Sequence, residues 1–166
     1  MYNWIEQAVD GLCKRASSHD PFEIAKQQSI VVFLEELGSI RGYYNFYARQ
    51  RFIHINCNLE EYERKFTCAH ELGHATLHPD SNTPFLRENT LFSINKLELE
   101  ANKFAAYLLL SDEVLEEAKV YEYTSKQISI MAGVPEQLVK WRKPKIEFSF
   151  TTLSALNSFN DYRCDS

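Results

Sequence analysis

The chain has 166 residues, 45% hydrophobic and 25% charged, the balance of a globular protein and not of a disordered one. That length supports one core without covalent staples, and no apolar run approaches the roughly 20 residues of a membrane span. Eighteen basic against 23 acidic residues leave a formal charge of -5, which argues against a surface built throughout for nucleic acid.

Residues 3–16 place Trp4, Ile5, Ala8, Val9 and Leu12 at helical spacing. Pro21 opens a short helix over 22–28. Three strands are expected next. Residues 29–34 are a β-branched apolar run, 40–47 are aromatic with Gly42 as a bulge or close approach, and 51–56 alternate. In the last, Ile53 and Ile55 share one face and Phe52, His54 and Asn56 the other. Residues 48–50 join the second and third as an antiparallel hairpin, although the turn residues are weak ones.

A long helix is predicted from Asn58, with Asn58 as its cap and Glu61 completing a capping box. It ends near His78, before Pro79. After a polar loop over 80–90, a second long helix spans 94–110 with Leu97, Ala101, Phe104, Ala105 and Leu108 as its apolar stripe. Ser111 caps a helix to about Tyr121, and two short helices, 124–131 and 135–142, flank Gly133-Val134. This is an α+β chain with a mostly helical C-terminal half. Residues 1–145 read as a single domain and 146–166, rich in Ser and Asn, as a partly disordered tail.

The opening residues, Met1-Tyr2-Asn3-Trp4-Ile5-Glu6, lack the charged-then-apolar order of a secretory leader. The expected location is therefore the cytoplasm. Cys13, Cys57, Cys68 and Cys164 are scattered without a Cys-x-x-Cys pair, and read as reduced thiols outside any metal site.

Chemistry concentrates in His70-Glu71-Leu72-Gly73-His74. Four residues is about one helical turn, so His70 and His74 project from one face and can grip a single ion such as Zn2+. Glu71 is rotated by about 100° from His70. It can lie beside the metal without ligating it and take a proton from an activated water. Gly73 costs roughly 1 kcal/mol in mid-helix against Ala, and close packing of a neighbouring element would compensate. His78 extends the stripe, but three histidines along one helix span about 12 Å, too far for one ion. It reads as an outer-sphere or helix C-terminal residue. His54 reads as structural.

A catalytic zinc keeps an open position beside three protein ligands, and the third should come from another element. The second long helix offers Glu98 and Glu100. Glu98 shares a face with Asn102, which could hydrogen-bond a ligating histidine from outside the coordination sphere. Glu98 could equally serve as the capping-box acid of an Asn95 cap, so spacing alone leaves both acids open.

Two segments carry a resemblance. Residues 66–78, Phe-Thr-Cys-Ala-His-Glu-Leu-Gly-His-Ala-Thr-Leu-His, are similar to the zinc helix of the ImmA/IrrE family of metallopeptidases. Residues 98–110 resemble that family's second signature, Glu-x-x-Ala-Asn/Asp-x-Phe-Ala before a Leu-rich stretch, and residues 133–139 its C-terminal helix pair. The stretch ends Leu110-Ser111 where the family more usually has Met-Pro. The resemblance spans about residues 25–143. It implies a zincin-like fold, a small three-stranded antiparallel or mixed sheet packed on the zinc helix. It also implies His70, His74 and Glu98 as ligands of Zn2+, Glu71 as general base, and Glu100 as the alternative third ligand.

Relatives from phages and integrative elements cut a helix-turn-helix repressor. The implied activity is thus a zinc endopeptidase relieving repression of a phage or mobile element. Its partner is a protein, with no direct nucleic acid and no membrane. By fold-level analogy, an extended substrate could pair with strand 51–56 or 40–47. Two other readings stand beside this one. In the first, residues 125–139 form a DNA-binding helix-turn-helix, against which Met131, Val134, Leu138 and Trp141 would instead be core contacts. In the second, the protein sequesters a repressor without cutting it.

Overall fold

The computed structural model describes residues 4–80 and 91–142, residues 91–95 by their backbone alone. The first elements are α1 (Trp4–Ala16) and α2 (Pro21–Gln27), the latter capped by Asp20, whose carboxylate accepts from the Phe22 N–H at 2.8 Å. Strands β1 (Ile30–Glu35), β2 (Gly42–Tyr47) and β3 (Gln50–Asn56) follow. Helices α3 (Glu61–Leu77), α4 (Leu91–Leu109), α5 (Asp112–Val120), α6 (Ser125–Ala132) and α7 (Glu136–Val139) complete the chain. The expected loop over 80–90 lies outside the described residues beyond Asp80, and the expected tail over 146–166 lies wholly outside them.

The sheet is mixed, in the order β1-β3-β2. β1 runs parallel to β3, with Val32 opposite Ile53, and β2 runs antiparallel, with Tyr44 opposite the same residue. Because β3 is paired on both sides, residues 51–56 cannot accept a further strand. That corrects one of the two edges considered above and leaves β2. The β2–β3 turn is Ala48-Arg49, both with positive φ (49° and 65°). This is the backbone of a two-residue hairpin turn, a conformation Asn and Gly adopt most readily, so the sequence signal was weak.

One face of the sheet carries Tyr44, Ile53 and Ile55, all fully buried, and α3 packs against β2, β3, α2 and α4. Leu72 and Ala69 of α3 join Phe104, Ala105 and Leu108 of α4 and Val9 and Leu12 of α1 in a single core. His54 faces away from that core. It is paired with Glu35 and stacked on Tyr43, a structural role as expected.

Three local expectations need correction. Helix α3 starts at Glu61, with Glu60 as its N-cap, and the Glu63 carboxylate accepts from the Glu60 N–H at 3.2 Å. Asn58 is not the cap because Asn56 intervenes. The Asn56 side chain accepts from the Asn58 N–H at 3.0 Å and donates to the Gly38 and Ile40 carbonyls, holding a turn ahead of the helix. Helix α4 is already under way at Leu91, so Asn95 is not its cap and Glu98 is not a capping acid. In the C-terminal pair, Val134 and Leu138 are buried, but Met131 is 40% exposed and does not join the core.

Ser111 caps α5 and Thr124 caps α6 with Gln127 completing the box. No helix among the described residues is long and apolar enough to cross a membrane.

Candidate metal centre

Helices α3 and α4 cross where Gly73 meets α4. A Cβ on Gly73 would stand 3.1 Å from the Ala101 Cα and 3.1 Å from the Phe104 Cβ. The missing side chain sets how closely the helices approach, and so brings the carboxylate of Glu98 over the two histidines of α3. The Nε2 atoms of His70 and His74 are 3.2 Å apart. Glu98 Oε2 lies 3.1 Å from the first and Oε1 lies 3.6 Å from the second. One donor atom from each residue falls within 4.8 Å of the others.

This donor set fits a divalent ion. Two imidazole nitrogens aimed at each other beside a carboxylate need positive charge among them, supplied by a proton or by a cation. Ligands about 2.0–2.1 Å from a tetrahedral ion stand about 3.3–3.4 Å apart, and the three observed separations bracket that value. His70 Nδ1 donates to the side-chain carbonyl of Asn102 at 3.0 Å. That contact assigns the ring proton to Nδ1 and leaves the Nε2 lone pair facing the centre.

Electrostatics follow from the same contacts. Burial pushes the His70 imidazole down, but the hydrogen bond to Glu98 and the charges of Glu71 and Glu98 outweigh it and hold the group above its ordinary value. Burial pushes Glu98 up, yet its hydrogen bonds and charge contacts with His70 and His74 hold it well below the usual carboxylate range.

Glu71 is 2% exposed and lies on the inner side of the same turn. It lines a cavity of about 390 Å³ together with His70, Glu98, Asn102, Thr67 and Arg41. Gly42 stands at the wall. A Cβ there would meet the Thr67 Cγ2 at 2.6 Å and the His54 carbonyl at 2.7 Å, which makes it a close approach and not a bulge.

The structure therefore brings together His70, His74, Glu98 and Asn102, with Glu71 beside them, and separates two other residues considered above. Glu100 faces His78, with its Oε2 3.1 Å from His78 Nε2, and does not join the cluster. His78 is the C-cap of α3, its backbone N–H donating to the His74 carbonyl. Burial, ahead of the opposing charge of Glu100, holds its imidazole below the ordinary value. Among the residues lining the cavity, Thr67 and Arg41 were missed. Thr67 sits three positions before His70 on one helix face and could have been read from spacing. Arg41 precedes β2 in a connection whose sequence carries no such signal.

Comparison with known proteins agrees with this geometry. Residues 25–142 match the Peptidase_M78 family, described as the IrrE N-terminal-like domain. The chain is 46% identical over 138 residues to "Uncharacterized immunity region protein 2" of Bacillus phage phi105, covering 82% of this chain and 87% of that protein. It is 32% identical over 146 residues to "Metallopeptidase ImmA" of Bacillus subtilis (strain 168), covering 86% and 85%. The matched span holds both helices that meet at the His70, His74 and Glu98 cluster, and the chain belongs to the IrrE N-terminal-like metallopeptidase family.

Proposed function

We propose that the chain is a zinc-dependent endopeptidase of the cytoplasm, acting on a helix-turn-helix repressor of a phage or mobile element and so relieving repression. The observation that carries the peptidase reading is the convergence of His70 Nε2, His74 Nε2 and the Glu98 carboxylate beside a buried Glu71. His70, His74 and Glu98 are the metal ligands in this reading, and Glu100, held against His78, is not. When bound, zinc supplies Lewis-acid chemistry, polarising the scissile carbonyl and acidifying water.

The chain's own residues do the rest. Asn102 holds the His70 ring so that Nε2 faces inward. Glu71 takes the proton from the attacking water on a carboxylate oxygen and delivers it to the leaving amine nitrogen. Its burial keeps bulk water from competing for that proton. His78 closes the end of α3 below His74 and pins Glu100 away from the site.

Support for the substrate is of a different kind. The phage relative is named for an immunity region, and a formal charge of -5 suits an encounter with a basic, DNA-binding protein. Direct DNA reading has less to stand on. Helix α7 has four residues, of which Leu138 and Val139 are buried, and offers no length of exposed helix to a groove.

The test is zinc content and cleavage of a helix-turn-helix repressor encoded beside this chain, for wild type, Glu71→Gln and His74→Ala. Glu71→Gln should keep its zinc and lose cleavage, and His74→Ala should lose both. Full cleavage by Glu71→Gln would sink the mechanism. An intact repressor after incubation with zinc-loaded wild type would sink the substrate assignment and favour sequestration.

A further inference from the structure

A second cavity, of about 450 Å³, opens next to the one over the metal cluster. The two share a wall, because Arg41 and Phe66 line both. Its remaining surface is largely apolar. Tyr62 comes from the first turn of α3, Ile130 from α6, and Val134 and Pro135 from the connection between α6 and α7. Gly133 ends α6 with φ of 64°, and a Cβ on it would stand 3.2 Å from the Tyr62 Cβ. Glycine thus serves twice here, by adopting the left-handed cap and by letting the α6–α7 turn close against α3. The Ser129 hydroxyl donates to the Val134 carbonyl at 2.7 Å and fixes the same turn.

Two features need an explanation beyond packing. Ile130 is 73% exposed and Tyr62 is 59% exposed, yet both face this cavity. An apolar lining left open to solvent costs free energy unless a partner covers it. The shared wall says which partner: a chain lying in the metal cavity passes Phe66 and Arg41 before it reaches the second one. A volume in the few-hundred Å³ range suits a bulky apolar side chain with its neighbouring backbone.

We propose that this cavity, built by Tyr62, Phe66, Ile130, Val134 and Pro135, is a specificity pocket that takes a large apolar side chain of the peptide substrate. That side chain lies on one side of the scissile bond, a short reach from the metal cluster. The C-terminal helix pair then reads substrate and not DNA. Arg41, ion-paired with Glu63 at 3.1 Å on the boundary between the cavities, marks where the peptide backbone crosses. The inference rests on the endopeptidase reading above and adds the substrate's side-chain chemistry to it.

A proteome-derived peptide library digested with zinc-loaded protein tests this, with wild type, Ile130→Glu and Tyr62→Ala compared. Both positions are solvent-exposed, so zinc content and melting temperature should stay at wild-type values. Wild type should select Leu, Phe, Met or Ile at one fixed position beside the cut. Ile130→Glu should weaken that selection about tenfold and admit Lys or Arg there, since an apolar pocket discriminates by roughly 10–200-fold. Tyr62→Ala should weaken it without favouring basic residues. Cleavage with the same apolar selection in all three proteins overturns the pocket and leaves the peptidase reading standing. Absence of cleavage by zinc-loaded wild type, on the library and on the repressor alike, overturns both.

Discussion

His70 donates from Nδ1 to the side-chain oxygen of Asn102, 3.0 Å away on the neighbouring helix. One hydrogen bond therefore fixes both the tautomer and the tilt of an imidazole that faces His74 and Glu98. Replacing Asn102 with Ala should weaken zinc binding by about 10–100-fold, the usual cost of losing such a partner. Asn102→Asp keeps an acceptor at the same place and should bind far more nearly like wild type. Competition with a chromogenic chelator measures both. Equal affinity in Asn102→Ala and wild type would remove Asn102 from the site.

Gly73 is a second point of leverage. Alanine there gains about 1 kcal/mol in helix propensity, but its Cβ must enter a space 3.1 Å from both Ala101 and Phe104, backbone and rigid side chain in turn. Overpacking of this kind costs about 1–3 kcal/mol. Gly73→Ala should therefore be less stable than wild type by up to about 2 kcal/mol in urea, and should bind zinc more weakly because Glu98 moves with α4. A gain in stability would show that the helices separate freely.

Arg142 joins three elements. Its guanidinium donates to the Leu110 carbonyl at 3.0 Å, to Glu6 of α1 at 3.0 Å and to Asp112 of α5 at 2.7 Å, and lies over the Tyr107 ring. Asp112 is half exposed, so its share is small. The buried contacts to Leu110 and Glu6 carry the effect, and Arg142→Ala should cost about 2–4 kcal/mol. Arg142→Lys restores charge but not the three-way geometry and should recover only part of it. Urea denaturation of the three proteins decides the order.

Cys13 and Cys68 are both buried. Burial first, and then the nearby Asp10 charge, push the Cys13 thiol up from 9.0 to about 11. Burial pushes Cys68 higher still. A shift of that size at Cys13 lowers the thiolate fraction near pH 8 by about a hundredfold. Iodoacetamide should label Cys57 in the native protein and reach Cys13 and Cys68 only in urea, as read by peptide mass spectrometry. A raised folded-state value means the unfolded chain gives up its proton first. Stability from this group is intact below pH 9.0 and declines as pH rises through about 11. Cys13→Ala should flatten that decline.

Much of this was legible in the residues. The spacing of His70 and His74 needed only a helix between Asn58 and Pro79, and the cost of a mid-helix glycine at Gly73 pointed to a close neighbour as one compensation. Glu98 was not separable from Glu100 by spacing, since spacing alone does not say which face of α4 meets α3. The pairing of Glu100 with His78 distinguishes them, and that contact exists only once the helices have crossed. The start of α3 was misplaced because Asn58 and Glu61 satisfy a capping pattern, while Asn56, two residues upstream, claims the same backbone through long-range bonds to Gly38 and Ile40. The second cavity had no local signature at all, being assembled from α3 and the α6–α7 turn.

The ligands of the proposed metal centre come from two helices that meet at a glycine-spaced crossing, and an ion there is also a clasp between them. Loss of metal would loosen α4 from α3 at that crossing. Such a protein would not wait idle in a metal-starved cell. It would become a better target for turnover, so metal supply would govern how much of it persists as well as whether it acts.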